Sequence, residues 1–278
     1  MACLKKDDPN QVTYYQSGIG TYDGSGLKTG FSAGFDMAVG SGLGIHVRDA
    51  YRFLMQNYRE GDRICLLGFS RGSYTVRCLA GMLHKVGLLP AHNRAQITFA
   101  YQFYKDDTPE GWKMSADFKK TFSNDVTVFF VGVWDCVASV GFIPRKLPFS
   151  KSPTNAIRYF RHAMALDEHR AKFKICRYTK MDEQNHQHTI DCTPKAQIKG
   201  GIRRMLGSCF GPSEAAIKRE EEELRKRKAK EDQARLEAKF DKHNDRYYKP
   251  CETDVLEVWF MGAHADVGGG AVVRSRVF

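Results

Sequence analysis

A chain of 278 residues with 42% apolar content is long enough to bury the core of one large α/β domain. Its 43 Lys and Arg against 32 Asp and Glu give a net charge of +11, gathered in the middle third (Arg145-Lys146, Arg158 to Arg161, Lys172 to Lys180, Lys195 to Arg204), a surface suited to peripheral contact with an anionic membrane. No run of about 18 apolar residues and no apolar N-terminal segment is present, so neither a membrane span nor a signal peptide is expected, and eight scattered cysteines predict a reducing, cytoplasmic setting.

In chain order, Tyr14-Tyr15 reads as strand. Gly40-Ser-Gly-Leu-Gly44 has the look of a dinucleotide turn, but its third glycine is not at the spacing that turn needs and no acidic residue ends a following strand; its use is to start a helix from Ile45 to Tyr58. Ile64 to Leu67 is a continuous apolar run, as in a strand buried on both faces, and Val76, Leu79, Ala80 and Leu83 repeat at helical spacing within Ser73 to Val86. Between them stands Gly68-Phe-Ser70-Arg-Gly72, a G-x-S-x-G element in its required strand–turn–helix context. Ser70 is therefore the candidate nucleophile, with Gly68 and Gly72 leaving room for the tight turn and the Arg71 N–H at the helix start aimed at a forming oxyanion.

A serine hydroxyl needs a base, and the base needs an orienting acid. Val126 to Val133 is the most strand-like run in the chain and empties into Trp134-Asp135, which puts Asp135 at the carboxyl edge of a sheet. Val255 to Met261 is another strand, followed by the glycine-rich loop Gly262-Ala-His264-Ala-Asp266-Val-Gly-Gly-Gly270. The order Ser70, Asp135, His264 is that of α/β-hydrolase triads. Asp266 is the rival acid, ranked below Asp135 because a carboxylate so near in sequence more naturally bonds loop amides. Of the nine histidines only His264 follows a strong strand; His46, His84, His92, His162 and His169 read as helix residues. His186, His188 and Cys192 bunch together without C-x-x-C or H-E-x-x-H spacing, so neither metal nor cofactor is assigned. Cys65, Cys78 and Cys136 read as buried thiols. With no zinc finger or ribonucleoprotein motif, no nucleic-acid partner is expected.

Residues 180–250 read as an insertion. Its second part, Pro212 to Tyr248, has the pattern of a charged helix with i,i+4 pairs Glu221–Arg225, Glu222–Lys226, Glu223–Arg227 and Glu231–Arg235. Ile217 and Leu224 are followed at the next heptad step by Glu231, so a solvent-exposed helix or arm fits better than a coiled coil, and a lid over the site is the alternative.

Tyr14-Tyr-Gln-Ser-Gly-Ile-Gly-Thr21, Ala50 to Asp62, Gly68 to Gly72, Val131 to Asp135, Arg161 to Glu168 and Trp259 to Gly270 together resemble the successive blocks of the type VI lipase effector-like hydrolases. The resemblance implies an α/β-hydrolase fold, a mostly parallel sheet with flanking helices, with Ser70 as nucleophile, Asp135 as acid and His264 as base, and phospholipase activity in some bacterial members. Two departures stand out. Met1 to Asn10 is too short and polar for the family's opening strand, and Phe278 comes soon after Gly270, so residues 1–278 read as a single partial domain truncated at both ends, short of one oxyanion donor. The expectation is a serine esterase acting on lipid or other esters; the alternative is an impaired pseudo-hydrolase serving as a binding protein.

Overall fold

The computed structural model describes residues 4–5, 7–18, 33–137, 147–149, 156–170, 173–178, 214–244 and 253–270. The chain separates into two compact units, Met1–Lys180 with Lys239–Phe278, and Met181–Ala238. In chain order the elements are α1 (Ala33–Asn57), β1 (Ile64–Phe69), α2 (Arg71–Val86), α3 (Ile97–Lys105), α4 (Pro109–Phe122), β2 (Val128–Trp134), β3 (Ile157–Ala165), α5 (Glu214–Asn244), β4 (Asp254–Phe260) and the short α6 (His264–Val267).

The four strands form one parallel sheet in the order β1-β2-β3-β4. Parallel strands need crossovers that cover a face, and α2 supplies the first: Tyr74, Cys78, Leu79, Met82 and Leu83 are buried with Ile64, Leu66, Val131, Val133 and Phe160 of the sheet. Tyr51 of α1 fastens this layer, its hydroxyl donating to Gly87 O (2.9 Å) and accepting from Leu89 N–H (2.9 Å). α4 begins on a Thr108 cap whose Oγ1 accepts from Gly111 N–H at 3.0 Å, with Pro109 in the first turn.

Several expectations need correction. β1 is buried on one face only: Leu67 is 48% exposed and Cys65 is an exposed thiol, while Cys78 and Cys136 are buried. The same open face continues through Phe69, Trp134, Leu256 and Val258, and among the described residues it ends at β4, the last strand of the sheet. Tyr14-Tyr15 is not strand; Tyr14 stacks on Phe53 of α1 with centroids 4.8 Å apart. Gly40 to Gly44 is no loop, since α1 runs through it from Ala33. His162 lies on β3, and neither His92 nor His169 is helical. The charged helix occupies Glu214–Asn244; residues 212–213 and 245–248 lie outside the described residues. Of its central turns, Glu221 to Arg225 are exposed. Among the described residues no helix is long and apolar enough to cross a membrane.

Candidate active site

β1 delivers Ser70 into a turn with φ 58°, a left-handed conformation rare outside glycine, and α2 starts at the next residue. The turn is held on several sides. Ser70 N–H donates to Trp134 O at 3.0 Å, and Ser73 Oγ donates to Gly68 O (2.6 Å) with Trp134 O a second acceptor at 3.1 Å. Arg71, as the first residue of α2, has an amide without an intrahelical acceptor at the positive end of the helix dipole.

Asp135 follows β2, fully buried and at φ 42°. Its N–H donates to Ala163 O at 2.7 Å, and its Oδ1 accepts from Ala165 N–H at 2.9 Å, so β3 fixes both its backbone and its carboxylate. His264 opens α6 rather than sitting on an irregular loop. Its Nδ1 lies 2.5 Å from Asp135 Oδ2 and its Nε2 2.8 Å from Ser70 Oγ. A carboxylate only accepts, so Nδ1 carries the ring proton and Nε2 accepts from the serine hydroxyl. The structure thus joins Ser70, Asp135 and His264 in one hydrogen-bonded chain at the sheet's carboxyl edge. Asp266 stands apart: its Oδ2 accepts from Ala263 N–H at 2.8 Å and caps α6.

The glycine run around His264 is required by space and backbone. Gly262, Gly269 and Gly270 have φ of 102°, 108° and 63°. A β-carbon on Gly268 would lie 2.3 Å from the Phe69 ring. That ring lies against the His264 imidazole with centroids 4.7 Å apart and planes tilted 31°. Phe173 approaches the imidazole edge-on, also at 4.7 Å, and Arg170 covers Phe173 with its guanidinium carbon 3.8 Å from the ring centroid. Glu168 pairs with Arg170 (2.6 Å), and its Oε2 lies 3.4 Å from His264 N–H. Sequence reasoning assigned no role to Phe69, Glu168, Arg170 or Phe173. The signal available was the Arg161-to-Glu168 block, which ends where β3 hands the chain to this cluster.

The described part of the basic region is largely engaged. Arg161 binds Asp254 through Nη2–Oδ2 at 2.8 Å, Arg177 faces Glu257 at 3.3 Å, and Arg158 lies over the Tyr159 ring at 5.4 Å. Arg145-Lys146 and Lys195 to Arg204 lie outside the described residues, as do His186, His188 and Cys192. Among the described residues no group of three or more His, Cys, Asp or Glu has the arrangement of a metal site. Apolar side chains line the edge beside the site: Leu166 after β3, and Trp259, Phe260 and Met261 at the end of β4, are all exposed.

A parallel α/β sheet with a serine on a strained strand-to-helix turn, bonded to a histidine and then an aspartate at the strand ends, has the arrangement of the α/β serine hydrolases. The chain belongs to the family described as the type VI secretion system phospholipase effector Tle1-like catalytic domain, whose model matches residues 1–276. It is 35% identical over 204 residues to the uncharacterised protein YEL023C of Saccharomyces cerevisiae, a match covering 63% of this chain and 28% of that protein. The chain thus spans well under half of that relative's length. No solved structure matches it.

Proposed function

We propose that this chain is a serine hydrolase of carboxylic esters, with phospholipid or other lipid esters as substrate. The observation that carries the reading is the continuous chain from Ser70 Oγ through His264 to Asp135, with links of 2.8 and 2.5 Å. Ser70 attacks the ester carbonyl as His264 Nε2 takes its proton. The Arg71 N–H, at the α2 N-terminus, stabilises the oxyanion. His264 then returns the proton to the departing alcohol, and an attacking water repeats the cycle to release the acid. Asp135 keeps the Nδ1–H tautomer and balances the imidazolium.

The lipid class is supported by the family's phospholipase description and by the exposed apolar side chains of Leu166, Trp259, Phe260 and Met261 at the carboxyl ends of β3 and β4, the same sheet edge that carries the site. The test is labelling by a fluorophosphonate probe together with hydrolysis of phospholipid vesicles and a short-chain soluble ester. Ser70→Ala and His264→Ala should each abolish labelling and hydrolysis with unchanged circular dichroism. Labelling that persists in Ser70→Ala would exclude this triad; hydrolysis of the short ester alone would exclude the lipid assignment.

A further inference from the structure

Next to the Ser70–His264–Asp135 chain lies a second acid–histidine pair that the proposed reaction does not use. His162 of β3 is paired in register with Glu257 of β4, and their side chains are 0% and 9% exposed. His162 Nδ1 lies 2.9 Å from Glu257 Oε1, and its Nε2 lies 3.1 Å from the backbone nitrogen of Cys136. A backbone amide only donates. His162 Nε2 must therefore be unprotonated, which puts the single ring proton on Nδ1, donated to Glu257.

Glu257 is itself held in place by Tyr178 N–H at 2.8 Å and by Arg177 Nε at 3.3 Å. Burial pushes its carboxyl up, but the hydrogen bonds from His162 and Tyr178 and the charge of Arg177 more than reverse this and leave it below the usual range. It is therefore an acceptor at neutral pH. The other ionisable groups at the turn are Arg77, whose Nη1 lies 3.8 Å from Cys136 Sγ, and the buried Cys176, whose N–H donates to Cys136 O at 2.7 Å. The Cys136 N–H itself donates to His162.

Cys136 directly follows Asp135, whose φ of 42° persists only where surrounding bonds over-determine it. The peptide groups on both sides of the Asp135 Cα are anchored to β3, one through Ala163 O and the other through His162 Nε2. We infer that His162, oriented by Glu257, is a positioning residue for the Asp135 turn, keeping the carboxylate aimed at His264. The inference rests on the reading of Asp135 as the acid of a hydrolase. A proton added at His162 Nε2 would set two donors against each other and release the turn.

The experiment measures kcat and KM of the whole chain on one soluble ester for His162→Leu and His162→Gln, each with and without Asp135→Asn, beside Ser70→Ala. His162→Leu should lower kcat by on the order of 10- to 10²-fold with KM changed by less than about twofold. His162→Gln, whose amide oxygen can accept from Cys136 N–H, should recover most of the loss. Neither should lower kcat further when Asp135 is already Asn. Equal losses in both backgrounds, or full kcat in His162→Leu, would overturn the inference. If His162→Leu does not fold, nitrogen-15 spectra of the unaltered chain decide: a His162 ring protonated at Nε2 and bare at Nδ1 would overturn it. Turnover surviving in Ser70→Ala would bring down the hydrolase reading instead, a distinct failure because the tautomer is measured without activity.

Discussion

Gly68 lies so close to Gly72 that a β-carbon on Gly68 would stand 2.6 Å from the Gly72 carbonyl oxygen and 2.7 Å from Ser73 N. The reverse does not hold: a β-carbon on Gly72 meets nothing within 4 Å. The two glycines of the G-x-S-x-G element therefore have different reasons to exist. Gly68 permits the close passage of β1 under the start of α2, whereas Gly72 is an ordinary helical position. Gly68→Ala should cost at least about 1–3 kcal/mol through overpacking against backbone that cannot yield, and should take activity with it. Gly72→Ala should be neutral or should stabilise by up to about 1 kcal/mol, as Ala does in a helix interior. Paired thermal melts test this, and equal destabilisation by the two substitutions would refute it.

The two candidate acids should separate cleanly. Asp135→Asn removes the group that fixes the His264 tautomer and should lower turnover by on the order of 10⁴. Asp266→Asn touches only the Ala263 amide, so it should cost at most about 1–2 kcal/mol of stability, the scale of a lost cap, and leave kcat nearly intact. Steady-state kinetics of both variants decide, and a greater kinetic loss at Asp266 would reverse the assignment.

The site was legible where its signal is local and the rest was hidden where pairing overrides it. Ser70 and Asp135 each end an apolar strand, and His264 follows one, so strand–turn patterning placed all three at one sheet edge. His162 was not legible. Arg158 and Arg161 break the alternation of Ile157 to Ala165, and the segment is strand because β2 and β4 bond it on either side. Gly44 misled in a different way. It reads as turn punctuation, but its place inside α1 follows from the approach of Tyr101 on α3, whose hydroxyl would stand 2.9 Å from a β-carbon there. The segment from Glu168 to Phe173 meets His264 from about ninety residues away, so the Arg161-to-Glu168 block marked the segment but not what it packs against.

Acid should reveal the Glu168–Arg170 pair. Hydrogen bonds from the Arg170 side chain and amide hold the Glu168 carboxyl at about 2. Its unfolded value is about 4.3, so the folded form is depressed. The stabilisation is then complete above about pH 5 and is lost as pH falls through the window from about 4 to about 2. Arg170→Ala should lower Tm most above pH ~5, where the pair is fully formed, and the two curves should converge as pH falls towards ~2, so the variant's dependence below pH ~5 is shallower; the half of the pair open to solvent, Arg170, keeps the difference small. Identical Tm–pH curves for the two chains would show that the pair carries no linkage.

Phe173 should matter to rate more than to binding. Its ring edge and the Phe69 face bound the His264 imidazole, and the Asp135 bond alone leaves the ring free to swing about Nδ1. An aromatic contact of this kind contributes about 0.5–1.5 kcal/mol, so Phe173→Leu should lower kcat by about 2- to 10-fold with KM almost unchanged. Phe173→Tyr, which keeps the ring, should restore it. Arg170→Ala, which uncovers the outer face of Phe173, should show a smaller loss in the same direction. The measurement is kcat and KM for the three variants at a single pH. A rise in KM with kcat preserved would place Phe173 against the substrate and not against the base.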